Sequence, residues 1–165
     1  MKALTLPAIS LAIFPTFALA GSQAALEQTQ AFFAALESGE LGQIEALMAE
    51  DVVNTIPFDA SGATTEDVFR IFDGREQVMA YFAQAQQFIP EVAFVDPQIT
   101  ISASGDTAFV ETRGNMQLAD GRAYENLYVW RLDFENDQIV EITEYFNPVT
   151  AAIAFGRPLG PQESN

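Results

Sequence analysis

A chain of 165 residues with 49% hydrophobic side chains has the apolar material for one core and no room for a second domain of ordinary size. Its 23 acidic side chains stand against seven basic ones, a formal charge of −16, so nucleic acid and anionic lipid are both repelled as partners. The chain has neither histidine nor cysteine, which excludes disulfide frameworks, imidazole and thiolate metal ligands, and Ser-His or Cys-His nucleophile pairs; chemistry falls to carboxylates, tyrosines and arginines.

In chain order, "MKALTLPAISLAIFPTFALA" joins Lys2 to an uncharged apolar run closing on Ala18-Leu19-Ala20, the layout of a secretory signal peptide over residues 1–20. Its marginal length and its two prolines, Pro7 and Pro15, suit a cleaved leader better than a membrane anchor. The mature protein is therefore expected in the periplasm or outside the cell, with no stable membrane insertion. Removing Lys2 leaves six arginines as the only bases and a charge of −17, an acidity suited to solubility in a salty or extracytoplasmic setting.

From Ser22 the spacing of Leu26, Thr29, Phe32, Phe33 and Leu36 predicts a helix that stops at Ser38-Gly39, and a short second helix follows around Ile44, Leu47 and Met48. "DVVNTIPF", residues 51–58, reads as a strand ended by Pro57, and "DASGATTED" as loop. In "DGREQVMAYFAQAQQF", Asp73 is placed to cap a helix with Glu76 reaching back, while Val78, Tyr81, Phe82, Ala85 and Phe88 form one apolar face. Arg75 is expected at the surface or on a pocket rim.

After Pro90 the pattern changes to four strands, Val92 to Ala103, Thr107 to Leu118, Arg122 to Phe134 and Ile139 to Asn147, separated by the hairpin turns "SGD", "ADG" and "END". Helices first and an antiparallel meander afterwards give an α+β domain over residues 21–156. Residues 157–165 are too rich in Pro, Gly and polar side chains for anything but a flexible tail. No repeat, metal cluster, phosphate loop or dinucleotide fingerprint appears, so no cofactor is expected.

Alternation puts Tyr124, Asn126, Tyr128, Trp130, Leu132 and Phe134 on one face of the third strand. On the fourth, Val140, Ile142, Glu144 and Phe146 share a face opposite Ile139, Glu141, Thr143 and Tyr145. Both faces are partly apolar, so helices are expected to cover one and a second subunit the other, making a homodimer. If Ile142 and Phe146 face the helices, Glu144 lies in an apolar pocket, where lost hydration raises a carboxyl pKa toward the range useful for proton transfer. The competing reading pairs Glu144 with Arg113 or Arg131 across the sheet, or turns it to solvent. Asn126 and Tyr128 are candidates to orient a ligand, Tyr124, Tyr128 and Trp130 to stack on a flat ring, and Phe146 to line the same pocket; core or interface packing is the alternative for each. Glu111 and Arg113 share a face of the second strand, as a pocket-mouth pair or a cross-strand salt ladder.

The N-terminal helices, the helix opening on "DGRE", the meander and the ending "YENLYVWRLDFENDQIVEITEYFNPVTAAIAFG" together resemble the SnoaL-like branch of the nuclear transport factor 2-like superfamily, over roughly Ala24 to Gly156. The resemblance implies a cone-shaped α+β barrel: a strongly curved, mostly antiparallel sheet wrapped against three helices around an apolar pocket, commonly dimeric through the sheet's outer face. Its members include polyketide cyclases, ketosteroid isomerases, scytalone dehydratases, epoxide hydrolases, phenazine-biosynthesis proteins and proteins that only bind or assemble. The local likeness is to the phenazine-biosynthesis proteins, whose acid/base glutamate falls on Glu144; their partner histidine has no counterpart here. The ketosteroid isomerase base would fall on Ile56, before Pro57, which argues against a steroid isomerase. The resulting expectation is an exported protein that encloses a small apolar or aromatic molecule, either as a cofactor-free proton-transfer enzyme of isomerase, cyclase or dehydratase type using Glu144, or as a non-catalytic binding or assembly module.

Overall fold

The computed structural model describes residues 16–63 and 65–160, with side chains from residue 21. Residues 1–15 of the expected leader and the end of the tail lie outside the described residues. Helix α1 (Thr16–Ser38) turns Ala25, Phe32, Phe33 and Ala35 inward at helical spacing and stops at Gly39, whose φ of 71° is left-handed. Buried Thr29 on the same stripe satisfies its hydroxyl by donating to the Ala25 carbonyl at 2.7 Å. Helix α2 (Leu41–Ala46) follows, and Met48, expected within it, instead begins strand β1 (Met48–Ile56).

The strands are β1, β2 (Arg70–Asp73), β3 (Phe94–Ile101), β4 (Thr107–Gln117), β5 (Ala123–Glu135) and β6 (Gln138–Phe146). They form one sheet in the order β2-β1-β6-β5-β4-β3, antiparallel except for the β1–β6 pair. The two outermost strands, β2 and β3, do not pair, so the curved sheet remains open rather than closing as a barrel. Asn136 and Asp137 both take positive φ in the two-residue loop between Glu135 and Gln138, the turn a right-twisted hairpin requires.

Helix α3 (Arg75–Phe88) packs on β1 and β2, while α4 (Pro148–Ala154) caps the end of β5. Three sequence expectations change here. Asp73 ends β2 instead of capping α3: the cap is Gly74, with φ 86° and no side-chain bond. Phe88 is exposed, so the buried face of α3 is carried by Val78 and Phe82. A register shift between Asp133 and Phe134 sets Ile139 opposite Phe134, which turns Ile139 into the core and leaves Val140 only partly buried; simple alternation along β6 holds only from Glu141 onward. The shift between β1 and β6 is clamped by Arg75, whose guanidinium donates to the carbonyls of Met48 (2.9 Å) and Ala49 (3.3 Å) and pairs with Glu50.

The inner face of the sheet carries the core. Phe32 and Phe33 of α1 meet Trp130 edge-on, Phe94 closes on Phe33 at 4.9 Å, and Phe82 of α3 packs on Phe32. The outer face presents Phe109, Leu127, Val129 and Tyr145, with Leu127 69% exposed. Among the described residues no helix is long and apolar enough to cross a membrane.

Candidate functional site

Glu144 points inward from β6 and is only 6% exposed. Strand pairing surrounds it: Trp130 faces it across the β5–β6 ladder, Ile142 and Phe146 flank it along β6, and Ile56, one residue past the Thr55–Thr143 pair, lies on its β1 side. Arg70 of β2 pairs with Ile56, so Arg70, Ile56, Glu144 and Trp130 make one row across the inner face. Arg113 and Arg131, considered as partners from sequence, lie on the opposite face; Arg131 pairs with Asp133 on its own strand. Glu111 and Arg113 are likewise exposed outside and take no part in the pocket.

The partner of Glu144 is Tyr81 of α3, whose hydroxyl donates to Oε2 at 2.6 Å. Burial pushes the Glu144 carboxyl up from 4.5 to about 7, against the opposing pulls of the Tyr81 hydrogen bond and the Arg70 charge. Burial and the adjacent carboxylate push the Tyr81 phenol well above its usual 10, so it remains a proton donor across the physiological range. Its ring is held between Phe72, stacked at 4.6 Å, and the Arg70 guanidinium, 6.0 Å from the ring centroid.

Two hollows meet at this pair. A small cavity of about 100 Å³ lies behind it among α1, α2 and α3, with Tyr81, Tyr128, Trp130 and Glu144 in its wall. In front is a cleft of about 900 Å³, a volume suited to a small organic ligand, whose wall includes Tyr81, Tyr124, Tyr128, Glu144, Phe146 and Phe155. Glu144 therefore stands at the junction of the two, inside the sheet but reachable from the cleft.

Of the sequence-predicted ligand residues, Tyr124, Tyr128 and Phe146 line the cleft and Trp130 the inner cavity. The Trp130 indole N–H is buried without a hydrogen-bond partner among the described residues, which leaves it available as a donor. Asn126 is not in either wall. Its amide donates to the Tyr124 hydroxyl (2.9 Å) and the Asn147 carbonyl (3.1 Å), and its oxygen accepts from the Asn147 and Leu127 amides, tying β5 to the start of α4. Asn147 in turn caps α4, accepting from the Val149 and Thr150 amides, so "NP" converts the end of β6 into a helix that walls the cleft.

Tyr81 and Arg70 were not singled out from sequence. Tyr81 has the spacing of a core position, and Arg70 sits on a strand of four residues, too short for alternation to reveal. The available signal was the hydroxyl itself, since a tyrosine on a buried stripe must find a hydrogen-bond partner.

The SnoaL-like domain family matches residues 29–142, which span α1 to the middle of β6. The chain belongs to the SnoaL-like domain family. Solved structures with the same fold include a proposed isomerase from Bacillus subtilis, 20% identical over 86% of this chain and 99% of its own, with a TM-score of 0.71. A phenazine biosynthesis-related protein from Pseudomonas aeruginosa is 14% identical over 90% of this chain and 94% of its own, also with a TM-score of 0.71. A protein with a ketosteroid isomerase-like fold from Catenulispora acidiphila, in complex with trimethylamine, is 17% identical over 80% of this chain and 94% of its own, with a TM-score of 0.63. No curated protein matches the sequence. At these identities the solved structures establish the SnoaL-like cone and leave the chemistry to the residues of this chain.

Proposed function

We propose that this SnoaL-like protein is a cofactor-free proton-transfer enzyme acting on a small apolar or aromatic carbonyl compound, with Glu144 taking and returning the proton. The observation that carries the reading is the position of Glu144: a buried carboxyl lifted to about 7, hydrogen-bonded by a phenol, and lining an open cleft. A group of that pKa is divided between acid and base near neutral pH, which suits removal of a proton from one carbon and its delivery to another. In the ionised state Tyr81 stabilises the carboxylate by donating its hydroxyl to it. A structural ion pair is the competing use of a buried glutamate, and the absence of any arginine bonded to Glu144 among the described residues favours the catalytic one.

The test uses 2-tetralone as the probe ketone and follows deuterium exchange at its α-carbons by proton NMR. Wild-type protein is expected to accelerate exchange over buffer, Glu144→Gln to lose about 10²–10⁴-fold of that acceleration, and Tyr81→Phe to move the pH midpoint above 7 because a hydrogen bond that lowers the carboxyl pKa is gone. Equal exchange by wild type and Glu144→Gln would refute the role of Glu144.

The same reading makes the protein a homodimer through the outer sheet face. Val129 faces Tyr145 across β5–β6 there, Leu127 is two residues along β5 on the same face, Phe109 lies diagonally from Val129 on β4, and all are exposed.

A further inference from the structure

The cleft that reaches Glu144 collects an unusual share of the chain's positive charge. Of six arginines in a protein of net charge −16, Arg70, Arg122 and Arg157 line this one wall, from β2, from the β4–β5 turn and from the segment after α4. Arg122 is neutralised by Asp120 at 2.8 Å. Arg70 and Arg157 have no carboxylate within ion-pair distance among the described residues, although the Arg70 charge is felt by Glu144: each guanidinium lies against an aromatic ring, of Tyr81 at 6.0 Å and of Phe155 at 5.6 Å. With 23 acids in the chain, a merely structural arginine on a half-buried strand has many possible partners. Arg70 lines the cleft from the sheet position opposite Ile56, with its guanidinium over Tyr81 and its donors in no ion pair. The other acids of the cleft wall are already engaged: Asp59 accepts from the amide and hydroxyl of Ser61, and Asp120 holds Arg122.

We infer that the ligand is a monoanionic aromatic or alicyclic acid, its carboxylate held by Arg70 with Arg157 nearer the mouth, and its ring lying on Phe146, Phe155 and Tyr124. The row Arg70, Ile56, Glu144 sets two strand spacings, about 10 Å between backbones, between the anion anchor and the base. A carboxylate on Arg70 thus brings the neighbouring ring carbons over Glu144, and planar Arg–carboxylate pairing orients the acid as well as attracting it. This deepens the proton-transfer reading by naming the substrate class, and its test is a binding measurement that stands apart from turnover.

Isothermal titration with 2-naphthoate and with 2-naphthalenemethanol, the same ring system with and without the charge, reads the anchor. Wild type is expected to bind the naphthoate at least tenfold more tightly than the alcohol. Arg70→Gln removes that preference while leaving the alcohol within twofold, Arg70→Lys keeps part of it, and Arg113→Gln, on the outer face, changes neither. Glu144→Gln, which abolishes exchange, tightens naphthoate by removing a nearby negative charge, so failure of the base and failure of the anchor give different results. Equal affinity of wild type for the two probes, no naphthoate binding, or equal weakening of both by Arg70→Gln overturns the inference.

Discussion

Replacing Glu144 by glutamine should stabilise the protein, and by an amount that grows with pH. The carboxyl titrates at 4.5 when unfolded and at about 7 when folded, so between those values the folded state holds a proton that the unfolded state has released. Stability from this group is fully present below pH 4.5 and is lost as pH rises to about 7. At about 1.4 kcal/mol for each tenfold change in proton affinity, the loss is about 3 kcal/mol. Glutamine keeps the shape, still accepts from Tyr81 and never ionises, so the variant escapes the penalty. Urea unfolding of both proteins at pH 4, 5, 6, 7 and 8 should show a difference near zero at pH 4 that is already about 1 kcal/mol at pH 5 and widens to about 3 kcal/mol in favour of Glu144→Gln by pH 8. A difference that does not change with pH would show that Glu144 is not a desolvated carboxyl and would remove the physical basis for its role as base.

Asn54 gives a second stability prediction. It is fully buried on β1 between Phe72 and Ile142 on the neighbouring strands, and neither end of its amide has a hydrogen-bond partner among the described residues. Asn54→Val, apolar and favourable in a strand, should raise the urea midpoint, with a gain of about 1–3 kcal/mol; an unchanged or lower midpoint would mean that the amide is satisfied in solution. For the outer face, light scattering should report twice the chain mass for the wild type and the single-chain mass for Leu127→Glu, since a carboxylate at the most exposed apolar position cannot be covered by a second copy. The same mass for both proteins would remove that face as the dimer contact.

Because β5 and β6 are long, alternation grouped Glu144 with Ile142 and Phe146 on one strand face, but both faces are partly apolar and only the fold shows that this face is the inner one. Asn126 was grouped in the same way on β5, but alternation does not say whether an amide meets a ligand or the backbone of the next turn. The β-bulge that turns Ile139 inward was equally out of reach, since an extra residue in one strand is defined by its partner strand. Helix α4 was not among the predicted elements, although Asn147-Pro148 carries both a capping residue and a proline suited to the first helical position.

Charge, the lack of histidine and cysteine, the order of helices before strands and the polarity of each strand face belong to the sequence, because they depend on residue identity and on spacings of two to four positions. The site itself depends on distance in space. Tyr81 and Glu144 are separated by 63 positions, and Arg70 reaches the same cleft from a strand too short to predict. Only the packing of α3 across the open sheet brings phenol, guanidinium and carboxyl into one low-dielectric pocket, where burial can shift a proton equilibrium that no local pattern encodes.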